Sequence, residues 1–267
     1  MKGRVLIVAG SDSGGGAGIQ ADIKAVTALG GYAATAITAL TAQNTLGVQG
    51  VLPVPPGFIR QQMRLVLDDI GADALKTGML HDAATIEAVV AELPQGVPLV
   101  ADPVMVAKGG HALLRDEAVA VLKRALLPRA TLLTPNLPEA EVLTGITIPD
   151  LPAMREAARR LLGLGAPAVL LKGGHLPGEA LVDILVTAEG LEEFAGQRIE
   201  SRHTHGTGCT LASAIATGLA QGMALRDAVQ RARAYVRAAI LAAPGFGAGH
   251  GPLDHGVTLD PDRVAAP

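Results

Sequence analysis

Short apolar runs alternate along this chain with stretches in which apolar residues recur at three- and four-residue spacing. Residues 5–9, 34–40, 74–77, 99–101, 131–134 and 168–172 are runs of the first kind and predict strands. Residues 18–29 are of the second kind, with Ile19, Ile23, Val26 and Leu29 on one helical face. The same reading predicts helices at 58–67, 83–93, 116–127, 137–143, 153–164, 208–221 and 225–242. Pro53-Val54-Pro55-Pro56 reads as a break, and residues 181–187 and 192–199 as an antiparallel pair around Glu189-Gly190. Strand–helix alternation of this kind predicts βαβ units: a mostly parallel sheet covered by helices on both faces. With no internal repeat, low-complexity linker or shift in composition, residues 1–267 predict one α/β domain.

Composition narrows the functions open to such a fold. Apolar residues make up 49% of the chain and aromatic residues 2%, without tryptophan, so Ala, Leu and Val must build the core. A net charge of −3, with no basic cluster, lacks both the electrostatic face and the stacking rings of a nucleic-acid binder. The single cysteine excludes an internal disulfide framework and a multi-cysteine zinc site. The start of the chain lacks a signal-peptide pattern. The uncharged run 209–225 is shorter than the roughly 20 residues a membrane span needs, and it reads as a buried helix. These features predict a soluble, cytoplasmic protein.

In a parallel α/β sheet, ligands sit beyond the carboxyl ends of the strands. Polar and glycine-rich residues collect at those ends here: Gly10-Ser11-Asp12, Lys76-Thr77-Gly78-Met79, Asp102-Pro103, Thr134-Pro135-Asn136 and Lys172-Gly173-Gly174-His175. The loop 14–18 holds four glycines in five residues, more than a turn needs, which suggests close approach to a ligand. Gly16-Ala17-Gly18-Ile19-Gln20-Ala21 fits a loose dinucleotide pattern. No acidic residue follows between Ile23 and Leu67 to hold a ribose, however, and Gly-Lys, needed for a P-loop, occurs nowhere.

The turn Gly206-Thr207-Gly208-Cys209 opens the apolar run and is the remaining anion device. Bare N–H groups and the helix dipole favour negative charge there. A thiol at a helix start is expected to have a lowered pKa and to be able to accept a proton; burial as a small core residue is the alternative. Asn136 and Glu139, three apart, suit a hydrated magnesium or simply cap a helix. Lys172 suits a phosphate or faces solvent. His203 and His205 lack further ligands at metal-site spacing.

Taken together, these motifs resemble the hydroxymethylpyrimidine/phosphomethylpyrimidine kinases of the ribokinase superfamily over nearly the full length. The resemblance rests on 9–22, Thr41-Ala42-Gln43-Asn44-Thr45, Asp102-Pro103-Val104-Met105, 134–140, Lys172-Gly173-Gly174-His175, the Gly206–Cys209 turn and Gly249-His250-Gly251-Pro252. It implies a three-layer α/β/α fold. The implied activity is ATP- and magnesium-dependent phosphorylation of 4-amino-5-hydroxymethyl-2-methylpyrimidine, then of its monophosphate, in thiamine biosynthesis. Gly10, Asp22, Gln43, Met79 and Val106 would line the pyrimidine pocket. Gly206, Thr207, Gly208 and Cys209 would be catalytic, Cys209 standing where many sugar-kinase relatives carry an aspartate base. Asp102, Asn136, Lys172 and Thr207 would serve the ATP phosphates, and Glu139 would reach magnesium through water. The family also implies a homodimer. A pyridoxal kinase of the same superfamily and a silent pyrimidine-binding regulator are the rival readings.

Overall fold

The computed structural model describes residues 2–106 and 113–260. Nine strands form one sheet. They are β1 (Arg4–Asp12), β2 (Tyr32–Asn44), β3 (Gly47–Pro53), β4 (Ala74–Thr77), β5 (Leu99–Ala101), β6 (Leu132–Leu133), β7 (Ala168–Leu171), β8 (Ala180–Thr187) and β9 (Gly190–Gln197). Their spatial order is β3-β2-β1-β4-β5-β6-β7-β8-β9. Pairs from β2 to β7 are parallel, whereas β3, β8 and β9 attach by antiparallel pairing.

The helices are α1 (Gly18–Ala28), α2 (Pro56–Asp69), α3 (Ala83–Ala91), α4 (Asp116–Val121), α5 (Leu137–Thr144), α6 (Leu151–Leu162), α7 (Thr207–Ala220) and α8 (Leu225–Leu241). Strand β1 shows how they are distributed. Successive strand residues point to opposite faces. Leu6 and Val8 enter a core shared with α2–α6, while Val5, Ile7 and Ala9 enter a second core with α1, α7 and α8. The result is the three-layer arrangement expected from the alternation. Helix α7 is buried from Thr210 to Gly218. No helix among the described residues is long and apolar enough to cross a membrane.

Three local differences have physical causes. Strand β3 was not expected. It lies at the sheet edge with no residue buried on either face, so nothing imposes an apolar–polar alternation, and Leu52 is 65% exposed. The helix expected at 116–127 ends as α4 at Val121 and continues as a π turn and a 3₁₀ turn through Arg129. Pro128 lies in that last turn and has no N–H to continue a ladder. Strand β1 runs past Gly10 to Asp12 through a register shift between Ala9 and Ser11, which carries Asp12 onto the ligand-side rim.

Candidate active site

Beyond the carboxyl ends of β1, β4, β5, β6 and β7 lies a cavity of about 400 Å³, large enough for a small ligand. Gly10, Gln43, Met79, Val106, Asp102, Asn136, Glu139, Lys172 and the turn from Gly206 to Cys209 all line it. Residues far apart in the chain meet here because each follows a different parallel strand or opens the helix after it.

The head of α7 is built by glycine. Gly206 has φ +82°, a left-handed conformation that L side chains resist. A Cβ there would also collide with the carbonyl oxygen of Gly16. The glycine loop 14–18 is thus pressed directly onto the α7 turn. Thr207 directs its N–H and hydroxyl to the Thr204 carbonyl at 3.4 and 3.2 Å. Gly208 and Cys209 keep first-turn N–H groups with no acceptor inside the helix.

Beside that turn stands a charged cluster. Lys172 donates to Asp102 at 2.9 Å, and the Thr134 hydroxyl donates to the same oxygen at 3.0 Å. A Cβ on Gly208 would sit 3.3 Å from Lys172 Nζ and 3.6 Å from Asp102 Oδ2, so lysine, aspartate and helix head converge. Lys172 is therefore no solvent-facing lysine. Burial works against its charge, but Asp102 and Glu139 hold its pKa above the ordinary lysine range.

Asn136 caps α5: its side chain accepts from Glu139 N at 2.9 Å, and Glu139 returns the contact by accepting from Asn136 N at 2.8 Å. This reciprocal box also places both side chains on the cavity wall. Burial pushes the Glu139 carboxyl up to about 7; Lys172 opposes the shift, and Asp102 adds to it.

Two expectations need correction. Asp22 does not line the cavity. It is fully buried on α1, with both oxygens 2.9 Å from Lys76 Nζ and Oδ1 accepting from Ser213 at 2.7 Å. Lys76 is the member of this group that reaches the cavity wall. Burial disfavours its charge, yet Asp22 holds the ammonium above the usual lysine range. Nor is the Cys209 thiol acidified by the helix start. Burial pushes it up to about 11, with Asp22 and Asp102 reinforcing the shift against the pull of Lys76. Val106, on the rim, is 52% exposed.

The sequence and the order of these elements have a counterpart in known proteins. The sequence profile described as Phosphomethylpyrimidine kinase matches residues 12–254. The chain belongs to the phosphomethylpyrimidine kinase family. It is 57% identical over 256 residues to a thiamine biosynthesis bifunctional protein ThiED of Geobacter sulfurreducens, covering 95% of this chain and 52% of that longer protein. It is 51% identical to a hydroxymethylpyrimidine/phosphomethylpyrimidine kinase of Streptomyces coelicolor, covering 96% of this chain and 95% of the relative. Among solved structures, an ADP complex of Bacillus subtilis pyridoxal kinase superposes with a TM-score of 0.90 at 37% identity, covering 97% of this chain and 100% of that one. Members of this kinase family are phosphotransferases, and the chain has their ribokinase-like fold.

The sequence places Asp12 and Lys76 at ligand-side strand ends without a role and offers His205 only as a weak metal ligand; all three line the cavity. For Lys76 a signal existed: a lysine inside the apolar strand Ala74–Thr77 has no route to solvent.

Proposed function

We propose that this protein phosphorylates 4-amino-5-hydroxymethyl-2-methylpyrimidine with ATP and then phosphorylates the monophosphate to the diphosphate, a step of thiamine biosynthesis. The observation that carries this reading is the meeting, in one cavity, of an amide side chain and a methionine (Gln43, Met79) with a helix head and a buried lysine (Gly206–Cys209, Lys172). The first pair suits a flat heteroaromatic ring with a polar edge. The second pair suits a phosphoryl group carrying negative charge.

In this reading the hydroxymethyl oxygen forms a bond to the γ-phosphorus as the bond to the ADP oxygen breaks. Lys172 meets the phosphate oxygens, and the Gly208 and Cys209 N–H groups meet the charge that develops in transfer. Asp102 orients Lys172, and Thr134 fixes Asp102. Cys209, with its thiol near 11, enters as a neutral group that orients the alcohol. The alcohol's proton passes late in transfer to an oxygen of the transferred phosphoryl group, in keeping with the loose transition state of phosphoryl transfer.

The Asn136 and Glu139 donor set fits a hydrated magnesium. A buried carboxyl and an amide, both oxygen donors, share one wall of the cavity. Bound there through water, magnesium would neutralise charge on the β- and γ-phosphates.

The whole chain would act as one kinase domain, a reading supported by its continuous sheet. It would work in the cytoplasm, where the family's nucleotide and vitamin precursor meet. Leu46 and Leu52 are 71% and 65% exposed on and beside the β3 edge and support a homodimer, to be read by sedimentation.

Pyridoxal phosphorylation is the second reading, favoured by the close superposition on a pyridoxal kinase. An assay of ADP release with the aminopyrimidine alcohol, with pyridoxal and with neither separates the readings. Faster release with the aminopyrimidine is expected. Preference for pyridoxal would overturn the assignment, and no release above the blank would leave a binding protein.

A further inference from the structure

His205 belongs to no role assigned above, yet it joins both walls of the cavity. Its Nε2 lies 3.0 Å from Asp12 Oδ2 and 2.9 Å from the side-chain amide of Gln43. Its backbone N–H donates to Gly251 at 3.1 Å. The ring is packed so tightly on Gly16 that a Cβ there would come within 2.6 Å of Cδ2. The imidazole therefore cannot swing away from these two partners.

The protonation at Nε2 follows from Asp12. This buried carboxyl accepts N–H groups from Gly14, Gly16 and Ala17 at 2.8, 3.0 and 2.8 Å. Burial raises its pKa, but those bonds and His205 hold it below the ordinary carboxylate range. An ionised oxygen cannot face a bare ring nitrogen at 3.0 Å, so Nε2 must carry hydrogen. That N–H is then directed at Gln43 as well. The amide atom facing it must be the carbonyl oxygen, since an NH₂ would place two donors head to head. The amide nitrogen and oxygen are assigned by such partners rather than by shape. This orientation leaves the NH₂ beside Thr41 Oγ1, 3.4 Å away, a long contact that a ligand acceptor can replace.

We propose that His205, held by Asp12, is a specificity-determining positioning residue: it fixes the Gln43 amide so that the cavity presents an ordered donor–acceptor edge. Such an edge matches a heteroaromatic ring whose acceptor nitrogen adjoins an exocyclic amine. The amide NH₂ donates to the ring nitrogen, and the amide oxygen, still with a free lone pair, accepts from the amine. Adenine offers the same adjacent pair to glutamine. A ring without the amine loses one of the two bonds. The inference rests on the aminopyrimidine reading and deepens it.

The test compares 4-amino-5-hydroxymethyl-2-methylpyrimidine with the analogue lacking the 4-amino group. In the unaltered protein, kcat/KM should favour the amine by at least about tenfold. In His205→Ala that ratio should collapse toward one through KM, with kcat on the analogue little changed. His205→Gln places an amide nitrogen near the Nε2 position and should restore most of the ratio. Asp12→Asn, which can turn an NH₂ toward the ring and expel the Nε2 hydrogen, should lower the ratio too. It serves as the variant if His205→Ala does not fold. Equal losses on both substrates, with the ratio kept, would overturn the role of His205. A protein that phosphorylates neither substrate would instead overturn the function from which the inference starts.

Discussion

Two buried carboxyls line the same cavity and are pushed in opposite directions. Asp12 is held below its ordinary range, whereas Glu139 is pushed up to about 7. Burial raises both. The difference lies in fixed donors. Asp12 receives three backbone N–H groups and the His205 ring, all from the protein itself. Glu139 has the backbone of Asn136 and Met105 and a lysine already bonded to Asp102. Asp12 is thus a completed knot that ties the glycine loop to the α7 turn. Glu139 has fewer fixed donors, and in the proposed reading a magnesium ion held through water would supply the rest. One wall of the cavity is thus preassembled, whereas the other holds a carboxyl that burial alone leaves reluctant to ionise.

The largest expected effect comes from removing the charge shared by the second wall. Lys172→Met should lower kcat by about 10³-fold in steady-state assays, because it removes a phosphate partner and leaves Asp102 without its cation. A loss below tenfold would show that the α7 head carries the phosphoryl group unaided.

Next, Glu139→Gln and Asp12→Asn should give opposite profiles. Glutamine preserves the capping box, so below about pH 4.5, where Glu139 is protonated, Glu139→Gln should melt close to the unaltered protein, while turnover at neutral pH falls about 100-fold. Asp12→Asn should lose about 2 kcal/mol of stability in denaturant titration, because its amide cannot serve every donor now aimed at the carboxylate. Equal melting losses in both variants would erase the distinction between the two walls.

Cys209→Ala gives a smaller effect that concerns the head of α7. The alcohol step should slow about tenfold and the monophosphate step less, since an ionised phosphate has no hydroxyl for the thiol to orient. Parallel slowing of both steps would assign Cys209 to packing alone.

The smallest effect is a slope against pH. Glu139 binds its proton more tightly in the folded chain than in the unfolded one. Its contribution to stability is complete below about 4.5 and is lost as pH rises through about 7. Asp12 runs the other way: its contribution is present above the usual aspartate pKa and disappears as acid protonates the folded carboxyl. Subtracting the pH–stability curve of Glu139→Gln from that of the unaltered protein isolates the first slope. A flat difference would place Glu139 among ordinary surface carboxyls.

Much of this architecture could be read from residue order, and the reasons are specific. The interior strands are buried on both faces, so their apolar runs are unmistakable, and the polar residues that follow them mark the rim where Gly10, Met79, Asp102, Asn136 and Lys172 stand. The edge strand β3 has no such constraint. Asp22 illustrates a different limit. Its spacing places it on the inner side of α1, but whether a buried carboxyl meets ligand or protein depends on Lys76 and Ser213, 54 and 191 residues away. The Cys209 thiol fails as an acid for a similar reason: the helix start was legible, whereas its burial beside Asp22 and Asp102 was not. His205 was visible as a histidine without metal partners, but its pairing with Asp12 spans 193 residues and a turn of the fold.

In the proposed function one cavity transfers phosphoryl groups to an aminopyrimidine alcohol and then to its phosphate. Phosphorus NMR of the protein with ATP, magnesium and the alcohol tests it directly. The monophosphate resonance should rise first and then give way to the diphosphate, with ADP accumulating in step. Consumption of ATP without either product, or faster phosphorylation of pyridoxal under the same conditions, would contradict it.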